Sequence, residues 1–170
     1  MRILHSKWTY VALSGLTIIG ILIFSVYAFR VFERSLYPRS DYGLRSIASA
    51  EEQYRQMFPE RGYSGTLREL GTPADGCPAS NLPPLTSACL IDFVLANASS
   101  PATAKSGYFY TYIPGPPNAK GIIESYSIHG DPATPQAGAR HFFIDETGVL
   151  RVERDKPASK DSPVIKDDEY

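Results

Sequence analysis

Residues 40–58 read SDYGLRSIASAEEQYRQMF, and the spacing of apolar side chains in this stretch decides how the rest of the chain must fold. Leu44, Ile47, Ala48, Tyr54 and Phe58 share one stripe of a helix with 3.6 residues per turn, while Arg45, Glu52, Arg55 and Gln56 lie off it. Ser40 or Asp41 suits the N-cap, because either side-chain oxygen can accept from the free N–H groups of the first turn. Pro59, which lacks an N–H, ends the helix. A helix with such a stripe needs a covering layer, and the sequence on either side shows what is available.

Upstream lies an uncharged apolar run, WTYVALSGLTIIGILIFSVYAF, over residues 8–29. As a helix, roughly 22 residues rise about 33 Å, enough for the ~30 Å hydrocarbon core of a bilayer. A cleaved secretory signal has a shorter apolar core and a small-residue exit, whereas this run passes through Val26-Tyr27-Ala28-Phe29 directly into Arg30. The pattern predicts a transmembrane helix over 8–29, with 1–7 left in the cytoplasm. Continued through 40–58, it predicts one long N-terminal helix with membrane lipid around its first half, kinked or briefly broken near Pro38 and Gly43.

Downstream, Thr86–Asn97 reads as a short helix, because Leu90, Ile91, Phe93, Val94 and Leu95 cannot all face water. Strand signals then take over at 107–114, 122–128, 140–144 and 149–152, separated by Gly- and Pro-bearing turns. Phe142 and Ile144 alternate with His141 and Phe143, and Tyr126 and Ile128 alternate with Ser127 and His129. One face can therefore pack on the helix while the other is wetter. The expected fold class is α+β, a long helix across a small antiparallel sheet of three or four strands. From Arg154 on, RDKPASKDSPVIKDDEY mixes charge with Pro and Ser, and 154–170 is expected to be a disordered charged tail. The domain proper is thus expected over 30–153.

Cys77 and Cys89, the two cysteines, flank a Pro- and Ser-rich stretch with little pattern of its own. Paired, they close a short loop for about 2–3 kcal/mol in the loop-entropy picture, and their spacing is not that of a zinc or redox C-x-x-C. A disulfide there implies an oxidising compartment, so the domain is expected on the far side of the membrane from the cytoplasm. Flanking charge points the other way: Arg2 and Lys7 precede the apolar run, and Arg30, Arg34, Arg39 and Arg45 follow it. The cysteines decide the orientation here.

With 17 Lys and Arg against 18 Asp and Glu, the chain has no basic field for nucleic acid. It contains no G-x-S-x-G, H-E-x-x-H, phosphate-cradling or dinucleotide glycine motif, which argues against an enzyme and gives no cofactor to expect. The best metal candidate is His129, Asp131, His141 and Asp145, with both imidazoles on one sheet face. A pair of surface histidines is the commoner reading, and no metal site is expected. Tyr108, Phe109, Tyr110 and Tyr112 in one strand leave two readings open, packing under the helix or an adhesive contact face.

The stretches LRSIASAEEQYRQMFPERGYSGTLRELG, ACLIDFVLA, KSGYFYTYIPG and ARHFFIDETGVLRVE together resemble the soluble part of type IV pilin-like proteins and of type II secretion pseudopilins. The cues are Ala50-Glu51 with Tyr54, then Lys105-Ser106-Gly107-Tyr108, then Phe143, Asp145, Gly148 and Arg151. The resemblance implies a structural or assembly subunit of a bacterial inner membrane, its domain periplasmic or extracellular, with other pilin-like or secretion-apparatus subunits as partners. At the N-terminus, Gly15-Leu16-Thr17-Ile18-Ile19-Gly20 stands where the family has Gly-Phe-Thr-Leu-Ile-Glu. Gly15 and Leu16 are the implied processing site. A cut there would leave only about 14 apolar residues, too few to span a bilayer, so an uncleaved anchor is favoured. The alternative is a tethered extracytoplasmic binding module that does not polymerise.

Overall fold

The computed structural model describes residues 20–21, 23–28, 41–78, 84–134 and 140–165. The chain divides into two units, Met1–Leu36 and Tyr37–Tyr170. In the first, Gly20, Ile21 and 23–28 are helical, the Ser25 hydroxyl donates to the Ile21 carbonyl, and Ile21, Ile23, Phe24, Val26 and Tyr27 are exposed.

The expected long N-terminal helix, transmembrane in its first half, is corrected here. Among the described residues no helix is long and apolar enough to cross a membrane, and the principal helix covers only 41–57. The remainder of 8–29, with Gly15, Leu16 and Pro38, lies outside the described residues. Apolar count shows only that a helix of bilayer length would be at home in lipid; it does not by itself fix where a helix starts and stops.

In the second unit, helix α1 (41–57) buries Leu44, Ile47, Ala50, Glu51 and Tyr54, each at most 1% exposed, and Ala48 and Phe58 pack beside them. Gly43 does not break the helix. It is helical and buried, and a Cβ there would stand 2.0 Å from the Tyr110 hydroxyl oxygen. After Pro59 the chain reverses through Gly62 at φ +76°, where a side chain would meet the Ile123 carbonyl at 2.1 Å.

The sheet is a four-stranded antiparallel meander, β1 (Tyr108–Pro114), β2 (Tyr126–Pro132), β3 (His141–Asp145) and β4 (Arg151–Glu153), in that order. In register Tyr110 faces Gly130, and Gly130 faces Phe142. Tyr108, Tyr110, Ile128, Phe142 and Ile144 form the inner face beneath α1, each at most 2% exposed. Gly130 lets the helix approach, since a Cβ there would stand 2.4 Å from Leu44 Cδ1.

Three local expectations shift. The second strand was expected at 122–128 but runs 126–132, because Ile123 is spent on the chain after α1: its N–H donates to Arg61 O, and its carbonyl accepts from Tyr63 N–H. The helix expected over Thr86–Asn97 contracts to α2 (Phe93–Ala96), capped by Asp92, whose carboxylate accepts from Leu95 N–H at 3.0 Å. Upstream of it the chain is irregular, with Cys89 at φ +56°, and is tied to the 69–72 segment: Ala88 N–H donates to Glu69 O, Leu90 N–H to Leu70 O, and Thr72 N–H to Ile91 O. The Cys77–Cys89 disulfide joins the two ends of the stretch between them. Reducing it, or replacing both cysteines with Ser, is expected to lower stability by about 3 kcal/mol, read as a shift in urea midpoint.

The third shift concerns the expected disordered tail. Residues 154–165 fold back over the domain, with Ala158 and Ser162 buried and Ile165 against the core, while 166–170 lie outside the described residues. Few large apolar residues signalled this, because the segment is held mainly by backbone and hydroxyl hydrogen bonds at a sheet edge.

Candidate functional site

Alternation along the strands sends Ser127, His129 and Asp131 of β2, His141, Phe143 and Asp145 of β3, and Arg151 and Glu153 of β4 to the outer face, away from α1. His141 Nδ1 and Asp131 Oδ1 lie 2.5 Å apart, and Glu153 stands opposite His141 in register. The other two members of the candidate metal set are engaged elsewhere. His129 Nδ1 lies 3.0 Å from the carbonyl of Ala158, its ring edge-on to Phe143, and Asp145 caps its own turn through the N–H and hydroxyl of Thr147. Among the described residues no three His, Cys, Asp or Glu are placed to hold a metal ion.

Phe143 is 6% exposed although it points away from α1. Its ring packs edge-on against His129, with centroids 5.2 Å apart. Ser159 and Lys160 help wall a cleft of about 510 Å³ with Ile113, Pro116, Phe143 and Asp145. The cleft offers two carboxylates, Asp145 and Glu146, the Lys160 amine, hydroxyls from Ser127 and Ser159, and an apolar side. Such a set can bind a small polar group. Sequence reading missed Ser159 and Lys160 because the segment that carries them reads as tail.

A second polar cluster is wholly internal. Glu51 is 0% exposed; its Oε1 accepts from the Ser64 hydroxyl at 2.5 Å and its Oε2 from Ser64 N–H at 2.9 Å. The Tyr112 hydroxyl donates to the Ser64 carbonyl at 2.8 Å, which ties α1, the 62–66 turn and β1 at one point. Burial raises the Glu51 pKa above the ordinary carboxyl value of 4.5, and the bonds from Ser64 oppose that rise. Burial likewise pushes Tyr112 upward, with the Glu51 charge adding to the effect. Nearby, burial and the Glu69 carboxylate raise Tyr54 to about 12. Its hydroxyl lies 3.1 Å from Leu85 O and 3.3 Å from Glu69. These groups satisfy one another, which marks the cluster as a structural tie. The stripe read from the sequence left Glu51 out, although it stands four residues after Ile47 and three before Tyr54, the spacing that puts it on the buried side.

Of the β1 aromatics, Tyr108 and Tyr110 are buried and Phe109 and Tyr112 are partly covered, so the strand serves packing. Exposed large apolar side chains include Ile113 of the same strand at 48% and, elsewhere, Tyr42 at 70%, Val94 at 53% and Phe93 at 46%. Tyr42 also lines a cleft of about 220 Å³ with Leu90, Leu95 and the Asp92–Lys105 ion pair. No protein-family model, no curated protein and no solved structure matches the chain.

Proposed function

We propose that this chain is a non-catalytic assembly subunit of the pilin-like or pseudopilin-like kind. It is held to membrane lipid through its apolar N-terminal stretch, and its disulfide-bearing domain stands on the extracytoplasmic side of a bacterial inner membrane. The observation that carries the reading is the exposed apolar set Tyr42, Phe93 and Val94 on a domain whose buried Glu51, Ser64 and Tyr112 are engaged with one another. Exposed aromatic and branched side chains favour protein contacts over solvent. The Cys77–Cys89 bond supports the compartment.

A photo-cross-linking residue at Tyr42 or Phe93, irradiated in intact membranes, is expected to capture other subunits of an assembly. The same preparation is expected to yield, by mass spectrometry, a chain still intact between Gly15 and Leu16. A mature start at Leu16 would replace the uncleaved form with a processed one, and a freely dissolved cytosolic protein with reduced thiols would sink the reading altogether. The cleft beside Asp145 and Lys160 favours a second reading, a tethered binding module, for which a non-assembling monomer is the mark.

A further inference from the structure

The C-terminal segment touches the rest of the domain in two ways. Along the edge of β4, Val152 N–H donates to Pro163 O at 2.9 Å and Ile165 N–H to Leu150 O at 3.1 Å, with Arg151 opposite Val164 in an antiparallel bridge. Side chains fix the register: Arg151 Nη1 donates to the Ser162 carbonyl at 2.8 Å, and the Ser162 hydroxyl donates to Glu153 Oε1 at 3.1 Å. Over the outer face, the Ala158 carbonyl meets His129 Nδ1. Between β4 and this strap, 154–157 are exposed, and Pro157 biases its neighbour toward extended backbone. Without the strap, β4 is an open edge with unpaired N–H and C=O groups.

We propose that residues 158–165 are an exchangeable strand, closing on their own β4 in a monomer and on the β4 of a second copy in a dimer. The second copy is the occupant because its strap brings the same matching set: Pro163 O for Val152 N–H, Ile165 N–H for Leu150 O, Ser162 for Arg151 and Glu153, and Ala158 for His129. Pairing in trans forms the bonds already made in cis, and only the exposed link has to change path. The inference rests on the assembly reading, to which it adds a specific contact between subunits.

The test mixes two full-length variants in detergent, Arg151→Cys and Val164→Cys. Each chain carries one of the two positions, so a 151–164 disulfide forms only when the strap of one copy lies on β4 of the other. The expected result is a reducible heterodimer about tenfold more abundant than either homodimer, increasing further when Asp155 and Lys156 are deleted to hinder closure in cis. Heterodimer no more abundant than the homodimers, in both the full-length and the shortened-link mixtures, overturns the proposal. Failure of the membrane cross-links at Tyr42 and Phe93 while the heterodimer persists counts against the assembly reading and leaves strand exchange standing.

Discussion

Tyr110→Ala is expected to destabilise the domain by about 4 kcal/mol, the range for emptying a large side-chain site in a packed core. Tyr110 is 2% exposed and lies in a slot made by two glycines. A Cβ on Gly43 would stand 2.0 Å from its hydroxyl oxygen and 2.5 Å from Cζ, and a Cβ on Gly130 would stand 3.4 Å from its ring. Helix and sheet therefore meet across one aromatic ring, with no side chain between the ring and either backbone. The reverse perturbation follows: Gly43→Ala is expected to destabilise by about 2 kcal/mol through overpacking. In a Tyr110→Leu background that penalty should fall by more than half, because the clashing atoms are gone. Urea unfolding of the four proteins measures the coupling. Additive effects would show that the ring does not set the helix–sheet distance.

Glu51→Ala is expected to be nearly as damaging, about 3 kcal/mol, since it leaves the Ser64 N–H and hydroxyl without their acceptor in a closed interior. Glu51→Gln behaves differently, because an amide can accept from Ser64 N–H and donate to its hydroxyl oxygen, which can then turn to Thr66 O at 3.1 Å. The pH dependence follows from the raised carboxyl pKa. The folded domain keeps the proton at pH values where the unfolded chain, titrating near 4.5, has lost it. The contribution of Glu51 is thus complete below that value and declines as pH rises through the folded-state pKa. Urea midpoints taken from about pH 4 to about pH 8 should show this decline in the parent and a flatter profile in Glu51→Gln. Equal slopes in the two proteins would mean that the buried carboxyl titrates as it does in the unfolded chain.

The small antiparallel sheet and the buried stripe of 44–54 were legible because both periods are strong, whereas the long helix to which that stripe was assigned was not. Leu44, Ile47 and Tyr54 repeat at helical spacing, and Phe142 and Ile144 at strand spacing. The disulfide was legible because only two cysteines exist, a short loop apart. What escaped the sequence was held by the backbone. Leu90 and Ile91 look helical by composition, yet the 69–72 segment offers their N–H and C=O groups a partner that no local pattern reveals. The strap escaped for the same reason, since Ala158, Ser162 and Pro163 contribute carbonyls and hydroxyls more than apolar area. The long N-terminal helix failed as an expectation: among the described residues no helix is long and apolar enough to cross a membrane, and α1 covers only 41–57. Of the candidate metal residues, Asp131 and His141 meet, but strand register sets His129 toward Phe143 and Asp145 toward its own turn.

The order of the chain leaves α1 waiting. Gly130, against which Leu44 rests, comes 86 positions later, and Tyr110, which meets Gly43, comes 67 later. During synthesis the stripe on this helix emerges long before its cover exists, whereas the meander is built from neighbouring hairpins and can close as soon as it is made. The newborn protein is therefore most vulnerable to clumping while its first half is out and its second half is not. Any helper that binds it in that interval is expected to grip residues 44–58 and to be released when the second hairpin arrives.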